Sequence, residues 1–428
     1  MDSVLDITLL CKVVDNFGDI GVVYRLARAL TDLLKGGESL PLVGTSLPPT
    51  PSAGDDSSPA TPPKLNLRII ADNLESFRLL CPQIDPAKEE QTVNGWGIYN
   101  WNAGTTCLNA FRKKQPRIII ECFQCGRPDW LETLLFTEKV PDVVHIIMLD
   151  YLTAEDYAET FHKLKSLTRS ARVQKVNFMP GFTQKTGGLI LDKPFMESLL
   201  ARDSKNAEKR AEVSGGTSLS SESESFNAVF FSYPRNWTPA VRALQKFNKE
   251  KANGALNVLL ARGAGYDSFL NAYKNCASGI GTAFSAEPLF TLTELNFLPQ
   301  TEWDALLTRT PLLFIRGEDS LSRACLCGVP FVWHAYPQTE EYQLVKVQAL
   351  LERMRPHFAP HDFTCVERCW QVYNTTDSSN KDLEESLSAF LASYSSLKPG
   401  FADFSASLLQ NGDLAQNLLE FIDSKKEN

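Results

Sequence analysis

The chain has 428 residues, and 43 basic against 51 acidic side chains leave a formal charge of −8. At roughly 100–200 residues per domain, this length implies two or three domains with sizeable cores, and 43% hydrophobic with 22% charged residues is an ordinary globular balance. The acidic surplus excludes a general binder of phosphate backbones, which would be net basic. No run of about 18 apolar residues occurs, so no transmembrane helix is expected, and Met1-Asp2-Ser3-Val4 lacks the basic region and small-residue cleavage site of an export signal. The expectation is a soluble cytoplasmic protein with no nucleic-acid or membrane partner.

LDITLLCKVV (5–14) is a continuous apolar run of the kind that forms a buried parallel strand. DNFGDIG (15–21) follows, and Ile20, Val23, Ala27, Leu30 and Leu34 then recur at spacings of 3, 4, 3 and 4, one apolar helical face. LNLRIIA (65–71), RIIIECF (117–123) and VVHIIML (143–149) are further strands. Two stretches interrupt the pattern. Residues 36–64 are rich in Pro, Ser and Gly, and residues 203–225 are strongly polar, so both are expected to be disordered surface insertions. The alternation restarts with a strand at 226–233 and a helix at 236–250. Strands follow at 255–261, 311–315 and 330–333, with one helix starting near Glu318 and another running from about Thr339 to Arg355. LSAFLASYSSL (387–397) and LAQNLLEFI (414–422) are amphipathic helices.

Strands alternating with helices imply an α/β protein whose parallel sheets are covered on both faces. The chain divides into two Rossmann-like domains, joined near 180–195. The first is expected at 1–185 and the second at 186–404, with a terminal helix at about 405–428 packing back on the first. A cleft between two such domains is the default ligand site.

Ten cysteines and five histidines are spread thinly. Cys122 and Cys125 form one C-x-x-C, but no second ligand pair stands at zinc-site spacing, so reduced thiols and no metal are expected. Asp15 and Asp19 flank a turn at the carboxyl end of the first strand, where open α/β sheets bind ligands. Asp19 suits a helix N-cap as well as a general base. FIRGEDSLSRA (314–324) is again strand, turn and helix. Arg316, Gly317, Glu318, Asp319 and Ser320 place a guanidinium, a hydroxyl and backbone N–H groups at a helix start, the parts of a phosphate cradle. First-turn acids complementing the helix dipole are the competing account. FLPQ (297–300) and AYPQ (335–338) offer aromatic faces and amides suited to a nucleobase, while FMPGFTQKTGGL (178–189) suits a domain linker or a ligand loop equally. No G-x-G-x-x-G occurs at the first strand, and GAG (263–265) is too short to supply that fingerprint.

KVVDNFGDIGVVYRLARAL (12–30), MPGFTQKTGGL (179–189), LNFLPQTEWDALL (295–307) and FIRGEDSLSRACLCGVPFVWHAYPQ (314–338) resemble the EarP family of bacterial protein-arginine rhamnosyltransferases, which modify translation elongation factor P. YLTAEDY (151–157) and IIADNLESFRLLCP (69–82) fit as well. The similarity runs in the family's order from near residue 5 to about 355. The tracts 36–64 and 203–225 look like insertions, while His334 and Tyr24 stand where the family has glutamine and tryptophan.

The resemblance implies a GT-B architecture, two Rossmann-like domains facing across a cleft. It implies an inverting, metal-independent transfer of rhamnose from dTDP-β-L-rhamnose to an arginine of elongation factor P, supporting translation of polyproline stretches. Asp19 matches the general base, Asp15 its essential neighbour and Glu318 a further required acid. Asn16, Phe17 and Gly18 complete the first loop at the sugar. Phe297 and Gln300 match thymine-contacting positions, and Phe231 and Tyr233 line the nucleotide pocket. Arg316, Asp319 through its backbone, Ser320 and Tyr336 match positions that hold the diphosphate. No cofactor beyond the donor substrate is implied, and a monomer is expected. The absence of any Asp-x-Asp sequence agrees with metal independence. The competing expectations are a GT-B enzyme with another sugar or a small-molecule acceptor, and a non-catalytic nucleotide-binding partner of a translation factor.

Overall fold

The computed structural model describes residues 4–14, 18–35, 64–138, 142–214, 225–250, 255–278 and 289–426; for 206–214 and 426 it describes the backbone alone. Asp15, Asn16, Phe17 and the tract 36–63 lie outside the described residues. The chain forms two compact units, one of Met1–Lys193 with Leu409–Asn428, the other of Pro194–Leu408.

The first unit is built on β1 (Val4–Cys11), β2 (Lys64–Ala71), β3 (Glu90–Val93), β4 (Trp96–Asn100), β5 (Ile118–Cys122), β6 (Val144–Leu149), β7 (Lys165–Ser166) and β8 (Val173–Phe178). Its helices are α1 (Gly18–Leu34), α2 (Leu74–Leu80), α3 (Gly104–Lys113), α4 (Asp129–Glu132) and α5 (Tyr157–Phe161). The sheet order is β3-β4-β2-β1-β5-β6-β8-β7. β1 lies between parallel β2 and β5, with Leu9 opposite Ile69 on one side and Ile120 on the other.

The continuous apolar run of β1 is explained by its position. Leu5, Ile7, Leu9 and Cys11 pack with Ile20, Val23 and Leu30 of α1, while Leu10 joins Phe111 and Trp130 beneath the opposite face. Both edges depart from the expected all-parallel sheet, because β3 pairs antiparallel with β4 and β7 with β8. Asn94 (φ 55°) and Gly95 (φ 81°) form the β3–β4 turn, both in the left-handed conformation that two-residue hairpins favour.

The second unit carries β9 (Phe226–Phe230), β10 (Leu256–Leu260), β11 (Thr291–Glu294), β12 (Leu312–Arg316) and β13 (Phe331–His334), all parallel in the order β11-β10-β9-β12-β13. Its helices are α6 (Lys193–Ser214), α7 (Thr238–Glu250), α8 (Tyr266–Ala277), α9 (Gln300–Arg309), α10 (Glu318–Cys327), α11 (Gln343–Met354), α12 (Pro360–Asn374), α13 (Asn380–Ala392) and α14 (Tyr394–Leu409). Asn374 fixes the exit of β13, donating to the Trp333 carbonyl at 2.8 Å and accepting from Ala335 N–H at 2.8 Å.

Two expectations are corrected here. The polar tract from 203 is helical as far as Ser214, since its Ala, Glu, Lys and Arg residues are good helix formers and extend the turn begun at Lys193. The helix expected from about Thr339 starts at Gln343, because Glu340 (φ 57°) and Glu341 (φ 55°) have left-handed backbones.

The chain then re-enters the first unit as α15 (Leu414–Lys426), whose Leu414, Leu418 and Ile422 pack in the core with β1 and α1. Leu414 N–H donates to the Leu189 carbonyl, Leu191 N–H to Asp413 Oδ1 and the Asn417 amide to the Gly187 carbonyl. These bonds give the turn-rich segment 178–189 a structural occupation. No helix among the described residues is long and apolar enough to cross a membrane.

Candidate active site

In the first unit, the carboxyl ends of β1, β2, β5 and β6 bring a small set of polar groups together. Asp19 is the second residue of α1 and is only 3% exposed. Its carboxylate turns back to the loop: Val14 N–H donates to Oδ2 at 2.8 Å, and the Tyr151 hydroxyl donates to Oδ1 at 3.1 Å. Next to it, Val13 N–H donates to Asp72 Oδ1 at 2.8 Å. Two carboxylates therefore clamp successive amides of the chain leaving β1. This geometry differs from a simple N-cap, in which the side chain accepts from the helix's own first turn.

Thiols surround this end of the sheet. Burial is the main cause that pushes Cys11 and Cys122 well above the ordinary thiol range, and the Asp19 charge adds to both. Burial also pushes Cys125 up to about 12. Protonated thiols are poor nucleophiles and poor metal ligands. All ten cysteines are free, and no group of three or more His, Cys, Asp or Glu side chains among the described residues is arranged to hold a metal.

In the second unit, β12 ends at Arg316, whose guanidinium lies 4.5 Å from the Phe231 ring centroid and 4.8 Å from that of Tyr233. Its buried Nε has no hydrogen-bond partner among the described residues. Gly317 follows with φ 72° and ψ 155°, a conformation reserved almost entirely for glycine, and it reverses the chain into α10. Glu318 and Asp319 open that helix and Ser320 completes its first turn. The Trp303 indole N–H donates to Ser320 Oγ at 3.3 Å, and Trp303 itself meets Phe231 edge-on at 5.3 Å. The Gln300 amide donates to Asp319 Oδ2 at 3.4 Å. Tyr233 lies edge-on to Tyr336 at 5.3 Å.

Phe231, Tyr233, Arg316 and Tyr336 thus form one cluster, and Trp303 and Gln300 tie it to the start of α10. Phe297 is 50% exposed and Tyr336 61% exposed. His334 underlies this cluster, its Nδ1 accepting from Tyr233 N–H at 3.1 Å. Burial, reinforced by the charges of Arg235 and Arg316, pushes it down to about 3, so the imidazole is neutral.

Sequence reasoning did not find Tyr151, Asp72 or Trp303, because their partners are distant in sequence. It set GAG aside as a failed fingerprint. A Cβ at Gly263 would stand 2.7 Å from the Phe231 ring and 3.3 Å from Arg316 Nη2, so this glycine permits the arginine–aromatic packing.

The family model for the elongation-factor P (EF-P) rhamnosyltransferase EarP matches residues 7–36 and 60–423. The gap falls on the Pro- and Ser-rich tract. A protein-arginine rhamnosyltransferase of Shewanella oneidensis is 29% identical over 433 residues, covering 97% of this chain and 96% of that protein. One from Pseudomonas putida is 28% identical over 378 residues, 86% of each. A solved structure concerning EarP-mediated arginine glycosylation of translation elongation factor EF-P superposes with a TM-score of 0.53 at 18% identity, covering 98% of this chain and 99% of that one. That likeness shows the fold: α/β, with two Rossmann-like units of the GT-B class. By the extent of the family match, the chain belongs to the EarP family of elongation-factor P rhamnosyltransferases.

Proposed function

We propose that the chain is an inverting glycosyltransferase that moves L-rhamnose from dTDP-β-L-rhamnose to an arginine side chain of elongation factor P. The observation that carries this reading is the buried Asp19 carboxylate, held by Val14 and Tyr151 at the end of β1, in a chain of this family. A guanidinium has a reference pKa of about 12.5–13.8 and is a poor nucleophile until a base orients it and takes a proton. One guanidinium nitrogen bonds to the anomeric carbon on one face while the carbon–oxygen bond to the diphosphate breaks on the other. The nitrogen's proton passes to Asp19, and dTDP leaves with the bonding electrons. Such a base contributes about 10²–10⁴-fold in rate.

Asp15 is proposed as the companion acid acting at the sugar, with Asn16, Phe17 and Gly18 as further donor-binding residues, and Glu318 as the further acid. Arg316, Ser320, Tyr336 and the backbone at Asp319 offset the charge developing on the leaving diphosphate. Phe297 and Gln300 hold the thymine, with Phe231 and Tyr233 lining the pocket. Because a guanidinium and a helix N-terminus do this work, turnover is expected to be independent of added divalent metal and insensitive to a chelator. The protein is proposed to act as a monomer in the cytoplasm.

The decisive experiment mixes the protein with cognate elongation factor P and dTDP-rhamnose, then measures the intact mass of the factor. One added deoxyhexose on one arginine is expected, with the anomeric configuration opposite to the donor's by NMR. No addition from dTDP-rhamnose, with transfer from a different nucleotide sugar or to a small molecule, would overturn the reading.

A further inference from the structure

The two oxygens of Asp19 have different partners. Oδ2 accepts from a near neighbour, Val14 N–H, whereas Oδ1 accepts from Tyr151, 132 residues away in sequence. Tyr151 is itself held with care. Its ring stacks on Phe123 with centroids 4.7 Å apart and planes 25° apart. Phe123 (φ 58°) and Gln124 (φ 53°) are successive non-glycine residues in the left-handed region directly after β5. Bulky side chains keep that conformation only where the surroundings enforce it, and such sites cluster where function needs a fixed geometry.

The enforcing contacts are present. Phe123 N–H donates to the Leu149 carbonyl at 2.7 Å. The Asp150 carboxylate links the two loops, its Oδ2 accepting from the Gln124 amide at 2.9 Å and its Oδ1 from Tyr151 N–H at 2.8 Å.

We propose that Tyr151 is the positioning residue for Asp19, its hydroxyl fixing the orientation of the carboxylate that receives the acceptor's proton. The inference rests on Asp19 being the base of the proposed reaction. Tied at one oxygen to backbone and at the other to a phenol, the carboxylate cannot rotate freely about its Cβ–Cγ bond. Tyr151 acts through Asp19 and itself transfers no proton. The strained turn at Phe123–Gln124 sets the height of the phenol above the sheet.

Tyr151→Phe in the full chain keeps the stack on Phe123 and removes only the donor. It is expected to lower kcat about 10–100-fold, the scale of a misplaced catalytic group, while the KM for dTDP-rhamnose and the melting temperature stay at wild-type values. Phe123→Ala leaves the hydroxyl but removes its support, and a smaller fall in kcat at constant donor KM is expected. In an Asp19→Asn background, Tyr151→Phe should reduce residual turnover no further once rates are referred to the folded fraction, which a melting curve measures for each variant. Wild-type kcat in Tyr151→Phe, or a further loss in the Asp19→Asn background, would overturn the inference. If Tyr151→Phe is fully active while Asp19→Asn is inactive, the positioning role alone fails. If Asp19→Asn turns over normally, the base assignment fails and this role with it.

Discussion

Arg316 is the side chain proposed to hold the donor's diphosphate. The rings of Phe231 and Tyr233 support its guanidinium. Arg316→Ala is expected to raise the Kd for dTDP by about 10–100-fold, the range for a lost charge-assisted hydrogen bond, measured by calorimetry. Arg316→Lys should not restore it, because an ammonium neither stacks between rings nor offers a planar fork. His334 makes a pH-dependent contribution. Its folded-state value of about 3 lies below the ordinary 6.5, so an unfolded chain takes up the proton first as pH falls. The stability it contributes is complete above about pH 6.5 and is lost progressively toward pH 3. His334→Gln should therefore flatten the acid side of the stability curve by up to ~1.4 kcal/mol per pH unit, seen in melting temperatures between pH 7 and pH 4. An unchanged slope would show that His334 is not the group responsible.

Among elements, the strand–turn–helix units were the most legible. The apolar run of β1 and the 3–4 spacing of α1 follow from burial on both faces of a sheet and one face of a helix. The β12–α10 turn was legible in type but not in geometry. Gly317→Ala should cost about 1–3 kcal/mol in stability, since φ 72° with ψ 155° is strained for any residue with a Cβ. It should also weaken dTDP binding, because the same turn aims Arg316 and starts α10; a melting curve and a binding isotherm measure the two effects separately. The antiparallel edges depart from strand–helix alternation, and Asn94–Gly95 is the local hairpin signal for one of them. Through 203–214 the polar composition suggests disorder, whereas the residue types themselves favour the helix that forms. At Phe123–Gln124 nothing in the residue types announces a left-handed turn, and no local reading would have found it.

At the scale of the molecule, two features separate the dispensable from the required. The tract 37–59 falls between the residues matched by the family model, so replacing it with a short Gly/Ser linker should leave turnover and melting temperature unchanged, loop length being cheap. A loss of activity in the linker variant would give that tract a role. The returning helix α15 is the opposite case. Leu418 is fully buried in the core with β1 and α1, and Leu418→Ala should cost about 2–5 kcal/mol, read as an early melting transition.

The sequence by itself determined the α/β class, the order of the main strands along the chain and the Gly317 turn with its acids, because hydrophobic period and turn chemistry are local properties. Only the tertiary structure decided that Asp19 is buried against Tyr151, that Asp72 clamps the chain leaving β1, and that Arg316 rests on two rings beside Gly263. Those contacts join residues tens to more than a hundred positions apart, and their geometry is fixed by sheet order and packing, which no local pattern encodes.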